Sequence, residues 1–415
     1  MLNRCLLATA LALTFGLALA GTAVAQPSEQ ANPALDAYRV AEGQKPYFDL
    51  LNVEEAWKLT RGSPECVVGV VDTGFDFFHP ALRDSILPGC FASGVYHTTS
   101  CGLVAHGTLV SGLLVAHNVG NGGMVGFAPD CRVLAASSGM PEHRLILAQQ
   151  RFRAEHPDAD MAGWQAEMSK RGEELQAFGR DWIDYVSRTM AEGIIYLTDH
   201  GARVINISAF LPTKLLSVRP EFVERVDVAF KHAAENDVVI VIGAGNNATE
   251  VTDYPGSADT VLVAGASTLS DERWKETVNM GGMEITQGSC YGPRLSVLAP
   301  AEQLLILAPH DRACYSFENT PMGPEQGEYA GDCQVAPSGA TSSATAVVSA
   351  LAALVRSLRP DLSAADTVRI INESAIDIGD PGPDPFTGHG RVDFLQALST
   401  ARDWPVAGGA QSLPG

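Results

Sequence analysis

An aspartate, a histidine and a serine each stand in a small-residue context along this chain. Asp72 lies in Val70-Val71-Asp72-Thr73-Gly74, and His106 opens His106-Gly107-Thr108. Ser342 lies in Gly339-Ala340-Thr341-Ser342-Ser343-Ala344. A serine hydroxyl is a poor nucleophile at neutral pH. It becomes a good one when an imidazole takes its proton and a carboxylate holds that imidazole in one tautomer. The three residue types therefore point to covalent acyl chemistry on a serine. Two neighbours compete for register: Asp76 follows Asp72 in the same loop, and Ser343 follows Ser342.

The elements that must position these groups follow from periodicity. Residues 67–71 form an unbroken apolar run ending at Asp72, as expected for a parallel strand covered on both faces. Further strands are expected at residues 132–136, 202–208, 237–242, 261–265 and 295–298. A small-residue helix is expected over 107–115, and a nearly all-apolar, buried helix over 341–358. This alternation predicts an α/β fold with a doubly wound, mostly parallel sheet flanked by helices. Ligands bind such sheets at the carboxyl ends of the strands, where Asp72 sits. Residues from about 140 to 198 exceed a single crossover helix and read as a helical insertion within a domain spanning 49–402. Its plain reading is surface elaboration; a gating or partner-binding role is the alternative.

The 415 residues suffice for one large α/β domain, and 46% hydrophobic content excludes a disordered composition. Residues 1–25 read as a signal peptide: Arg4, an apolar run over 6–19, and the small-x-small site Ala23-Val24-Ala25. An uncleaved anchor is the competing reading, disfavoured by the short apolar core. The expected location is secreted or periplasmic, with no membrane association after cleavage. Residues 26–48 read as a short, loose leader, and residues 403–415 as a flexible tail. The net charge of −20 argues against nucleic acid or an anionic membrane as partner. It suits calcium, but no EF-hand-like spacing is present, so no metal ligand is assigned.

Export implies an oxidising compartment. Seven of the eight cysteines remain after cleavage. Cys90–Cys101 and Cys314–Cys333 are local pairing candidates. Cys66 and Cys131 each begin an apolar strand and are placed to bridge neighbours, which leaves Cys290 free.

The order Asp…His…Ser differs from that of trypsin-like barrels and of α/β-hydrolases. These segments resemble the subtilisin-like serine peptidases (subtilases), from about residue 51 to about residue 398. The resemblance implies catalytic roles for Asp72, His106 and Ser342 over Asp76 and Ser343. Gly243-Ala244-Gly245-Asn246 resembles the family's Ala-Ala-Gly-Asn, which implies that Asn246 donates to the oxyanion. Val204-Ile205-Asn206-Ile207-Ser208 resembles the substrate-pairing strand, which implies substrate binding by Ser208, Ala209 and Phe210. No cofactor is required for this chemistry, and the implied partner is a protein or peptide substrate.

Three positions depart from the family pattern. Ala340 replaces Gly before the Thr-Ser pair, Ala346 replaces Pro, and Phe210 stands where a Gly floors the pocket. The leading reading is an exported serine endopeptidase. The alternatives are a catalytically weak or inactive binding protein on the same scaffold, and a peptide acyl transferase using the same triad. No Gly-x-Ser-x-Gly elbow is present to support a lipase.

Overall fold

Strand β1 (Val67–Asp72) is buried from its second residue onward and lies in the middle of the main sheet. A computed structural model describes residues 37–92, 95–97, 106–119, 123–138, 172–209, 220–280, 283–302, 304–307, 334–338 and 340–405. The remaining strands are β2 (Ile86–Ala92), β3 (Val95–His97), β4 (Arg132–Ser137), β5 (Ala202–Ile207), β6 (Val239–Gly243) and β7 (Val261–Ser267). A hairpin of β8 (Lys275–Met280) and β9 (Met283–Gly288) follows, then β10 (Val297–Pro300), β11 (Leu304–Ile306) and β12 (Gln334–Ser338). The eight-stranded sheet has the order β10-β7-β6-β5-β1-β4-β2-β3, parallel except for the β2–β3 pair. The chain passes from β4 on one side of β1 to β5 on the other. The carboxyl end of β1 is thus a topological switch point, where such sheets bind ligands.

Alternation of side chains along each strand splits the core into two layers. Val68 and Val70 of β1 join Val133, Ala135 and Val204 on one face. They pack with Val110 and Leu113 of helix His106–Val115 and with Val347 and Leu351 of helix Thr341–Leu358. Val71, Leu134, Ala136 and Ile205 face the other way. They meet Met190 and Ile194 of helix Gly172–Asp199, with Val226 and Phe230 of helix Pro220–Glu235 completing that layer. Gly69 permits this approach, since a Cβ there would lie 2.9 Å from Leu197 Cδ1. Helix Thr341–Leu358 is apolar and long enough to cross a membrane, but it is buried as the core helix of the first layer.

The doubly wound fold is as expected; three boundaries are not. The loose leader was expected to run to residue 48, but helix Lys45–Leu50 crosses that point with Tyr47 and Phe48 buried. Tyr47 Oη accepts from the Leu305 amide (3.2 Å), and Gln44 exchanges hydrogen bonds with the Val125 backbone (2.7 and 3.0 Å). Two adjacent aromatic side chains supply enough apolar area to anchor a segment otherwise rich in polar residues and proline.

The expected insertion over 140–198 is also too long. Val186, Met190, Ala191, Ile194 and Leu197 are buried, so this part of helix Gly172–Asp199 is the crossover between β4 and β5. Residues 139–171 lie outside the described residues. At the other end, Asp403 closes helix Phe394–Asp403 and Trp404 packs on the core with its indole N–H 3.3 Å from Asp366 Oδ1, so no tail begins at 403.

Cys66 and Cys131 stand side by side at the start of β1 and β4, as expected, but as free thiols and not as the anticipated bridge. Cys66 Sγ lies 3.4 Å from the Ala353 carbonyl, and Cys131 Sγ lies 3.6 Å from Ser357 Oγ one helical turn further on. Cys290 is free and buried. Cys101, Cys314 and Cys333 lie outside the described residues.

Candidate active site

Asp72 ends β1 with its side chain almost wholly buried. His106 opens the helix His106–Val115, and its Nδ1 lies 2.7 Å from Asp72 Oδ1. The same Oδ1 accepts from the Thr73 amide at 2.6 Å. A carboxylate held this way favours the tautomer with hydrogen on Nδ1 and leaves Nε2 as the basic nitrogen. The helix is pinned to the loop behind the aspartate. The Gly107 amide donates to the Thr73 carbonyl (3.0 Å), and Thr108 Oγ1 accepts from the Asp76 amide (2.9 Å). Asp76 Oδ1 accepts from the Phe78 amide, so that carboxylate shapes its own turn.

Ser342 lies in the first turn of helix Thr341–Leu358. A helix N-terminus favours negative charge developing beside it. Ser342 is partly accessible, whereas Ser343 is buried. Ala340 precedes the helix at φ −167° and ψ 152°, extended backbone open to any residue. The methyl that replaces the family's Gly hydrogen therefore introduces no backbone strain.

Asn246 follows β6 through Gly245, whose φ of 102° needs a glycine. Asn246 Oδ1 accepts from both the amide and the hydroxyl of Thr341, each at 2.9 Å. Thr341 Oγ1 in turn accepts from the Gly245 amide (3.2 Å). This clamp joins the Asn loop to the residue before Ser342. Ser208, just past β5, donates from its hydroxyl to the Ser342 carbonyl (3.1 Å), and Ser342 Oγ donates to the Ser208 carbonyl (3.3 Å).

The site residues thus fall into two contacting groups. Asp72 and His106 form one; Ser208, Asn246, Thr341 and Ser342 form the other, and the helices opening at His106 and Thr341 pack against each other. Ala209 is half-buried beside Ser208, and Phe210 lies outside the described residues. Among the described residues no group of three or more His, Cys, Asp or Glu side chains is placed to hold a metal ion.

The subtilase family model matches residues 63–390, well over half of the chain and all of the groups above. The chain belongs to the subtilase family. It is a serine endopeptidase of that type. This subtilase is similar to mycosin-4 of Mycobacterium tuberculosis, with 28% identity over 375 residues, 88% of this chain and 71% of the mycosin. It is also similar to the thermophilic serine proteinase of a Bacillus species, with 26% identity over 261 residues, 63% of this chain and 50% of the proteinase. Among solved structures, the MycP3 protease from the type VII (ESX-3) secretion system aligns at TM-score 0.56 and 26% identity, over 89% of this chain and 90% of that one.

Two groups at this subtilase's site were not singled out from sequence. In the sequence Thr341 stands only as part of a motif, and Asn206 only as part of a strand. The available signal at Asn206 was an amide inside the apolar run Val204-Ile205-Asn206-Ile207, where a polar side chain needs a partner.

Proposed function

We propose that this subtilase hydrolyses peptide bonds in protein or peptide substrates through an acyl-enzyme on Ser342. His106 Nε2 takes the hydroxyl proton as Ser342 Oγ attacks the scissile carbonyl, then gives that proton to the leaving amine. Asp72 orients the imidazole and stabilises its charged form. Asn246 donates to the oxyanion, aided by the N-terminus of the Ser342 helix. Water repeats the sequence to release the acid. The single observation that carries this reading is the 2.7 Å contact between buried Asp72 and His106 at the carboxyl end of β1.

The inactive-scaffold reading loses one ground, because extended backbone at Ala340 accommodates its methyl. Acyl transfer by the same triad differs only in the acceptor, and product analysis separates it from hydrolysis. Ser208, Ala209 and Phe210 are the proposed substrate-pairing residues, with Phe210 reshaping the pocket that a Gly floors in the family.

Labelling with a fluorophosphonate probe tests the assignment. Peptide mapping is expected to find the adduct at Ser342, and Ser342→Ala is expected to abolish both labelling and turnover. An adduct at Ser343 would move the nucleophile. Export through the signal at residues 1–25 is part of the reading. It is tested by the N-terminus of protein recovered outside the cytoplasm, expected at Gln26. In that compartment the adjacent Cys66 and Cys131 thiols are expected to close on exchange with a thiol-oxidising protein disulfide, which leaves as a dithiol. Non-reducing peptide mapping reads that bond directly.

A further inference from the structure

Asn206 lies within β5, paired with Val70 of β1 and Val241 of β6, and is fully buried. An amide in such a place is costly unless its hydrogen bonds are made. Both of its ends are used. Ser349 Oγ, itself fully buried on helix Thr341–Leu358, donates to Asn206 Oδ1 at 2.9 Å. Asn206 Nδ2 donates to Ser208 Oγ at 2.9 Å. Having accepted that bond, Ser208 Oγ turns its own hydrogen to the Ser342 carbonyl (3.1 Å). The chain of donors runs one way, from Ser349 through the strand to Ser342, and leaves and re-enters the same helix two turns apart.

The two ends of an asparagine amide are nearly identical in shape, and only their partners tell them apart. Here Ser349 donates to Oδ1, and Nδ2 is the end that faces Ser208. Without that donor, a turned amide would offer Oδ1 to Ser208, which would then donate inward and release the Ser342 carbonyl. We propose that Asn206 and Ser349 are positioning residues for the Ser342 nucleophile, acting through the direction of hydrogen bonding they impose on Ser208. The inference rests on the reading that Ser342 is the nucleophile. Neither residue touches substrate. Their effect is to fix the first helical turn, where small displacements of the attacking oxygen change rate steeply.

The experiment compares wild type with Ser349→Ala, Ser349→Thr and Asn206→Asp, by steady-state peptide hydrolysis and by the rate and final extent of fluorophosphonate labelling. Ser349→Ala is expected to lower kcat and the labelling rate constant together, by about tenfold, with KM and final extent unchanged. Ser349→Thr, which keeps the hydroxyl, is expected to restore both. Asn206→Asp removes the Nδ2 donor and is expected to cost at least as much as Ser349→Ala.

A structural role alone would lower the melting temperature and the final extent of labelling while leaving the rate constant per active site intact. That result, or a wild-type labelling rate in Ser349→Ala, would overturn the inference even with wild type labelled at Ser342. Wild-type labelling at another residue would instead overturn the assignment of the nucleophile. Should Asn206→Asp fail to fold, the Ser349 pair decides alone.

Discussion

Asn246 Oδ1 accepts two hydrogen bonds from Thr341, one from its amide and one from its hydroxyl, each at 2.9 Å. This fixes which end of the amide is the acceptor and assigns Nδ2 as the donor. Thr341 immediately precedes Ser342, so the proposed oxyanion donor and the proposed nucleophile are positioned by one residue. The link explains how a turn after β6 and a helix about a hundred residues later keep register.

Asn246→Ala is expected to lower kcat by about 10²- to 10³-fold with KM little changed, because a donor in the proposed role acts on charge that appears only in the transition state. Thr341→Val keeps the amide bond to Oδ1 and loses only the hydroxyl, so a smaller loss is expected. Steady-state kinetics on one peptide substrate distinguishes the two.

Asp72 makes a complementary case. Its Oδ1 accepts from the Thr73 amide and contacts His106 Nδ1. Asp72→Asn keeps the size and replaces the acceptor by a group that can donate, which favours the wrong imidazole tautomer. The expected fall in kcat is about 10⁴-fold, with the fold retained. Circular dichroism and kcat measured on the same preparation check both halves of the statement.

Much of this arrangement was legible in the sequence, and the limits have physical causes. β1, β4, β5, β6 and β7 were readable because strands covered on both faces need unbroken apolar runs. Helix Thr341–Leu358 was readable for the same reason. The β8–β9 hairpin was not: Lys275-Glu276-Thr277 has no apolar run, and its pairing comes from a chain reversal. The segment around Tyr47 and Phe48 looked loose because its burial depends on Val125 and Leu305, far away in sequence. The proposed triad positions, Asp72, His106 and Ser342, stand out as motifs. The link from Ser349 through Asn206 does not, because it joins a helix and a strand that only the fold brings together.

Gly107 shows how tightly the histidine's helix is seated. A Cβ there would lie 2.6 Å from Phe75 Cε1 and 2.8 Å from the Gly74 carbonyl oxygen. One of these is backbone of the Asp72 loop, so the helix must move and draw His106 from Asp72. Gly107→Ala is expected to destabilise by about 1–3 kcal/mol and to lower kcat beyond what the folded fraction accounts for. Chemical denaturation and active-site titration separate the two effects.

His117 carries a pH dependence of stability. Burial is the main cause holding its imidazole below the ordinary value of 6.5, with Arg61 acting in the same direction and Asp130 and Asp84 opposing. Its Nδ1 lies 3.1 Å from Ser85 Oγ, and Tyr38 packs edge-on against its ring. His389 is shifted the same way, again chiefly by burial, with Glu373 opposing. The unfolded chain therefore takes up protons near pH 6.5 while the folded protein resists until the pH is lower. Their contribution to stability is flat above that range, falls as pH drops through about 6.5, and levels off once both folded imidazoles are charged. His117→Gln is expected to flatten part of this decline, and the double change with His389→Gln more of it. Urea midpoints between pH 7.5 and 5 measure the difference, and equal slopes for wild type and both variants would rule out these imidazoles as its source.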